Sequence, residues 1–265
     1  MNRYQILIEY VGTSYIGWQT QKKGNSIQKT IQNVISKLLK ENIKLHGSGR
    51  TDKGVHALEQ SAHFDCQNKI KDINKLVKSL NFFLNKKNIS ILKIKLKKND
   101  FHSRFSAKER TYLYIIRNDQ SPSTINHNRE WNIRNRLDLN LMKKGAKKLV
   151  GTHNFSTFRA ANCGAKSPIR TIKKIQILKS KKQIKIRIKS QSFLKSQVRS
   201  MVGSLKYLSE NKWNLKKFED VFNSKDRKNC APLAPAHGLY LEKVSYWLYY
   251  YSLQIFYLFS TLILL

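Results

Sequence analysis

The chain has 265 residues, with 51 Lys and Arg against 16 Asp and Glu, a formal charge of +35. Its length suits one large domain or two small ones with a real core, and a 40% hydrophobic content excludes wholesale disorder. An acidic solvating protein is excluded and a neutral enzyme for small apolar substrates does not fit; the charge points to a polyanion, either nucleic acid or an anionic membrane surface.

In chain order, Tyr4–Tyr10 places Ile6, Ile8 and Tyr10 on one face of a strand. Gly12, Ser14, Gly17 and Trp18 form a glycine-punctuated loop. Ser26 caps a helix running to about Glu41, with Ile27, Ile31, Val34, Ile35, Leu38 and Leu39 at helical spacing. Ile43–His46 reads as a short strand, Gly47–Ala57 as a glycine-rich loop and Leu58–Cys66 as a strand. A helix over Asp72–Leu84 precedes a basic strand, Ile89–Lys97. Phe101–Ala107 links to a strand at Arg110–Asn118, and Ser121–Arg136 is polar and loop-like.

In the second half, Asp138 caps a helix to Val150. Ile172–Leu178 and Gln183–Lys189 form a hairpin. Helices at Val198–Asn211 and Leu215–Asn223 precede a closing strand, Leu239–Tyr246. Helices are few and hairpins local, which favours α+β with antiparallel sheet over a doubly wound parallel fold. The two halves have similar content, so we expect related subdomains at 1–105 and 106–246, followed by an apolar tail at 247–265.

That tail is uncharged from Ser245 to Leu265 and long enough to span a bilayer. A buried terminal strand with an apolar extension, or translation past the true gene end, explains it equally well. Lysine supplies 38 of the 51 cations, an excess that A/T-rich coding bias alone would produce; the 13 Arg are more informative. Cys66, Cys163 and Cys230 are isolated, which argues against a disulfide framework and against zinc. Glu9 interrupts the short apolar run near the N-terminus, so no secretory signal is read there and a reducing cytoplasm is the default.

The stretch that carries chemistry is Gly47-Ser48-Gly49-Arg50-Thr51-Asp52-Lys53-Gly54-Val55-His56-Ala57. Its glycines permit tight turns and close approach to a ligand. It is neither a dinucleotide fingerprint nor a P-loop, because the required third glycine and the G-K-[ST] ending are both missing. One carboxylate stands between Arg50 and Lys53 in a chain poor in acids. Such an Asp serves as nucleophile, base or ion-pair anchor, or else simply hydrogen-bonds its own turn.

The loop GRTDKGVHA resembles the signature of the tRNA pseudouridine synthase A family, written around G-R-T-D-x-G-V-H. The resemblance continues in YVGTSYIGWQTQ, SIQKTIQNVI, FHSRFSAKERTYLYII, HNFSTFRA, SFLKSQVRSMVGSL and APAHGLYLEKVSY, and covers residues from about 4 to 246. It implies two similar subdomains whose mainly antiparallel sheets join into one extended sheet, helices on the outer face, and an active site in the cleft between them. It implies isomerisation of uridine to pseudouridine at positions 38–40 of the tRNA anticodon arm. The reaction has no redox step, so neither cofactor nor metal is expected.

By the same resemblance Asp52 is the catalytic aspartate, its ionised carboxylate attacking C1′ or removing a proton to form a glycal. Arg50 stands beside the flipped base and pairs with or orients Asp52. Tyr112 is the active-site tyrosine, stacking on uracil with its hydroxyl near C5, while Tyr114 is a core candidate. Leu239 or Tyr240 forms an apolar floor under the base. Arg104, Arg110, Arg159 and Arg199 are candidates for phosphate or base contacts, and Arg199 is equally a structural partner for Asp52. His56, His63, His102, His153 and His237 are expected to be hydrogen-bonded rather than chemical. A homodimer is implied as well. Val11 and Gln197 depart from the family pattern, where an acid and a Met are usual. Two other readings compete: a non-catalytic RNA-binding protein on the same scaffold, and a basic membrane-surface protein anchored by its tail.

Overall fold

A computed structural model describes residues 1–246, and the apolar tail at 247–265 lies outside the described residues. The order of elements begins β1 (Asn2–Tyr10), α1 (Ile27–Leu39), β2 (His46–Gly47), β3 (His56–Cys66), α2 (Ile73–Leu84), β4 (Ile89–Lys97) and β5 (Ala107–Asn118). It continues β6 (Trp131–Ile133), α3 (Leu139–Lys148), β7 (Gly151–Asn154), β8 (Ile169–Ser180), β9 (Gln183–Ser190), α4 (Gln197–Ser209), α5 (Leu215–Asn223) and β10 (Leu239–Tyr246). One continuous sheet runs β4-β1-β3-β10-β5-β9-β8-β7, with β2 beside β3 and β6 beside β5. It is mostly antiparallel, so the class is α+β, as expected.

The helices start where side chains satisfy their first free N–H groups. Ser26, Asp72, Asp138 and Asn214 each accept from the backbone N–H three residues on. In the first half, Ile27, Ile31 and Ile35 of α1 and Leu76, Leu80 and Leu84 of α2 share a core with Tyr4, Ile6, Ile8, Tyr10 and Phe64 of the sheet. In the second half, Met142, Val198, Met201, Val202, Leu205, Leu208 and Phe218 pack on Tyr114, Ile116, Ile184, Ile186 and Ile188. Tyr112 packs against both cores.

The join between the halves is narrow. β10 pairs in parallel with β3 over Tyr240↔His56 and Leu241↔Ala57. Farther along β3 its partner is β2, at His46↔His63 and Gly47↔Ala62. β10 meanwhile stays with β5, through Leu239↔Tyr114 and Leu241↔Tyr112. The sheet therefore splits after the join, with β2 on one side and β10 on the other, and the loop that carries Asp52 connects β2 to β3.

Several elements differ from the sequence reading. Ile43–Leu45 is not part of a strand, its backbone bonding instead to the side chains of Ser36, Gln32 and Gln28, and β2 is confined to His46–Gly47. The polar stretch after β5 contains β6, which pairs in parallel with β5. β7 pairs with β8 from Gly151↔Ile172 to Asn154↔Ile169. Both strands are too short to show a period of their own, so their pairing partners define them. Among the described residues, no helix is long and apolar enough to cross a membrane.

Candidate active site

The Asp52 loop is clamped from both sides. The Ser48 N–H donates to the Ser61 carbonyl at 2.8 Å. The Ser48 hydroxyl donates to Gln60 Oε1 at 2.7 Å, and Gln60 Nε2 donates to the Gly49 carbonyl at 2.9 Å. The Trp18 N–H donates to the Thr51 carbonyl at 3.1 Å, and the Thr51 and Tyr10 hydroxyls lie 2.8 Å apart. The Val55 N–H closes the turn onto the Asp52 carbonyl at 3.1 Å, with Gly54 at φ +79°. The N-terminal loop packs so closely that a Cβ on Gly17 would come within 2.6 Å of the Thr51 carbonyl. A residue held by this many backbone contacts loses little freedom when it meets a substrate.

Asp52 faces the start of α4. The Ser196 hydroxyl donates to Asp52 Oδ2 at 3.3 Å, and Arg199 Nη1 lies 3.9 Å from the same oxygen. Ser196 occupies the N-cap position at φ +61°, and its hydroxyl does not cap the helix. The cap hydroxyl is turned to the carboxylate, and the strained backbone is a feature of the site. Arg199 Nε also donates to the Ala234 carbonyl at 2.7 Å, which fixes the side chain along its length. Side-chain exposures of 32% for Asp52 and 16% for Arg199 leave the carboxylate accessible and the cation mostly covered.

Tyr112 stands edge-on to Phe193, with ring centroids 5.1 Å apart. Burial pushes its hydroxyl up to about 12; Arg110 opposes that rise and Asp52 adds to it. The phenol is therefore protonated at neutral pH. Leu239 is buried across from Tyr114, whose hydroxyl donates to the Pro235 carbonyl at 2.8 Å.

The arginines separate by what their guanidinium groups already hold. Arg50 is exposed, and its Nε donates to Gln19 Oε1 at 3.1 Å; the guanidinium within ion-pair reach of Asp52 belongs to Arg199. Arg159 Nη2 donates to the carbonyls of Cys163 and Ala165, both at 2.7 Å. Arg110 ties three segments together by donating to the carbonyls of Ser48, Arg104 and Gln191. Arg104 is exposed over Phe105. Arg50, Arg110, Arg199 and Tyr112 thus gather around the Asp52 loop, whereas Arg159 braces a neighbouring loop. Gln197 is buried, and its Oε1 accepts from the Leu194 N–H at 2.8 Å, which braces the turn into α4.

The histidines near the site are structural. His56 Nδ1 accepts from the Gly12 N–H at 3.1 Å, so its Nε2 donates to the carbonyls of Asn128 and His237. His63 Nδ1 accepts from the Ser103 N–H at 3.2 Å. Burial is the main force lowering both rings from 6.5 to about 4. Each is neutral in the fold at pH 7 and takes up a proton on unfolding below about pH 6.5. Their contribution is thus complete above pH 6.5 and is lost as pH falls toward 4. Denaturation at pH 7 and pH 5 should show a loss of about 2 kcal/mol per ring at the lower pH. An unchanged midpoint would contradict neutral, buried rings. Among the described residues, no group of three or more His, Cys, Asp or Glu is arranged to hold a metal ion.

Sequence reasoning missed Ser196, Gln60, Gln19 and Phe193. Ser196, Gln19 and Phe193 are far along the chain from their partners, whereas Gln60 lies 11 and 12 residues from Gly49 and Ser48. Ser196 and Phe193 stand in one block already singled out and Gln19 in another, and Gln60 lies in none.

Fold and site together define an α+β protein with two cores, whose sheet splits at a clamped acid paired to an arginine. A family model described as tRNA pseudouridine synthase matches residues 6–106 and 146–247. A tRNA pseudouridine synthase A of Pelagibacter ubique (strain HTCC1062) is 61% identical over 246 residues, covering 93% of this chain and all of that relative. A tRNA pseudouridine synthase A of Sinorhizobium medicae (strain WSM419) is 41% identical over 248 residues, covering 93% and 100%. A solved Cbf5-Nop10-Gar1 complex gives a TM-score of 0.36 at 10% identity, over 76% of this chain and 53% of the matched one. The chain belongs to the tRNA pseudouridine synthase family, and is thus an isomerase that modifies tRNA.

Proposed function

We propose that this chain isomerises uridine at positions 38–40 of the tRNA anticodon arm, acting as a homodimer in the cytoplasm. The observation that carries this reading is the clamped, accessible carboxylate of Asp52, 3.9 Å from Arg199 and 3.3 Å from the Ser196 hydroxyl. A uridine in a stem or stacked loop is out of reach until it is flipped out, at a cost of a few kcal/mol. Arg50, exposed at the loop surface, is placed to contact the displaced base or its phosphate.

Asp52 then breaks the glycosidic bond, either by attack at C1′ or by proton removal to a glycal. Both routes begin at the same carboxylate. The released uracil stays under the Tyr112 ring while it rotates; C5 then bonds to C1′ as the Asp52 ester bond breaks, or as the glycal regains its C2′ proton from Asp52, and the C5 proton leaves while N1 takes one up. Tyr112 is a neutral phenol at this stage, so it orients the base by stacking and hydrogen bonding.

tRNA tritiated at C5 of uridine tests the proposal. Tritium should be released, and replacing the uridines at 38–40 by cytidine should stop the release. Release that persists after the replacement would place the target elsewhere in the tRNA. Binding should also weaken steeply with salt, because Lys and Arg that neutralise phosphates displace counterions. A filter-binding series at increasing salt checks this, and a flat series would contradict an electrostatic cradle.

A further inference from the structure

We propose that Phe105 and His102 form a stacking platform for one unpaired nucleobase of the bound RNA, beside the Asp52 loop. The inference rests on the tRNA reading above and adds a contact to it. Phe105 lies on the segment between β4 and β5 and is 73% exposed. Its ring centroid is 4.4 Å from that of His102, at a tilt of 35°. The Arg104 guanidinium lies 5.5 Å from the Phe105 ring centroid. A flat exposed aromatic with a cation over it, on a chain of charge +35, matches the chemistry of single-stranded nucleic acid.

The step is built, not loose. His102 Nδ1 accepts from the Arg104 and Phe105 N–H groups at 3.1 and 3.4 Å, which fixes the ring. The His102 N–H donates to Ser106 Oγ at 2.9 Å, and the Ser106 N–H returns to the His102 carbonyl at 2.9 Å. Between them Ser103 is buried, with its hydroxyl donating to the His46 carbonyl at 2.6 Å. The position relative to the catalytic loop is also fixed. Arg110 Nη2 donates to the carbonyls of Arg104 and Ser48, both at 2.9 Å, and Ser48 stands four residues before Asp52. One guanidinium therefore holds the platform and the catalytic loop in register. A base that neighbours the flipped uridine and has lost its stacking partner is the group such a step would receive.

The test uses the full chain and an RNA hairpin with an unpaired loop. Phe105→Ala should weaken hairpin binding about 10-fold, the scale of one base stacked on an aromatic ring. Phe105→Trp should restore it. A fully paired RNA duplex should bind wild type and Phe105→Ala equally. Among hairpins with single abasic loop positions, one should abolish the difference between the two proteins. Equal hairpin affinities, an equal loss on the duplex, or no matching abasic position would overturn the platform. So would a changed sedimentation profile of Phe105→Ala, which would mean that a second copy of the chain covers the ring. Failure of the underlying reading is separate, because the wild type would then release no tritium from tRNA.

Discussion

Replacing Asp52 by asparagine is expected to remove tritium release from C5-labelled tRNA, by about 10³-fold or more, while leaving the fold intact. Asparagine keeps the shape and still accepts from the Ser196 hydroxyl, whose oxygen lies 3.3 Å away. What it lacks is the negative charge that attack or proton removal requires. The stability change should stay within about 1 kcal/mol, the scale of an ion pair in contact with solvent. Arg199 loses a partner at 3.9 Å but keeps the Ala234 carbonyl at 2.7 Å. Equal release by both proteins would remove Asp52 from the chemistry. No release by either, with RNA binding retained, would favour a scaffold that binds without catalysis.

Gly12→Ala should give the largest loss of stability. A Cβ there would fall on the Val55 carbonyl oxygen, and the next nearest atoms are also Val55 backbone. No side chain can rotate away, so the N-terminal loop must leave the Asp52 loop. The hydrogen bond from the Gly12 N–H to His56 Nδ1, now 3.1 Å, would stretch with it. Overpacking of this kind costs about 3 kcal/mol, which in a chain of this size lowers the melting midpoint by about 6–12 °C. Activity should fall too, because Val55 closes the turn that holds Asp52. Gly164→Ala is the control: a Cβ there meets nothing within 4 Å, and neither midpoint nor activity should move. A midpoint for Gly12→Ala equal to that of the control would contradict the close packing of the two loops.

The sequence determined more of the fold than of the site. The spacing of Ile27, Ile31 and Ile35 placed α1, and alternation in Ile184, Ile186 and Ile188 placed β9, because both patterns repeat over enough residues to register a period. The glycine-rich loop and its lone carboxylate were legible for a similar reason: the chemistry is written in consecutive residues. β6 and β7 were not legible, since three or four residues define a strand only through a partner.

Tertiary structure decided which cation meets which acid. Arg50 and Lys53 flank Asp52 in sequence, yet Arg199, far along the chain, supplies the guanidinium 3.9 Å from it. Side chains of adjacent residues in a tight loop point in different directions, whereas a helix start from the other half of the chain can be aimed at one oxygen. Tertiary structure also gave Arg110 its place. Its sequence context marked it as an RNA contact, and its fold context occupies it with the carbonyls of Ser48, Arg104 and Gln191. A guanidinium forms hydrogen bonds wherever unpaired carbonyls are brought to it, and only the meeting of three distant segments reveals where that is.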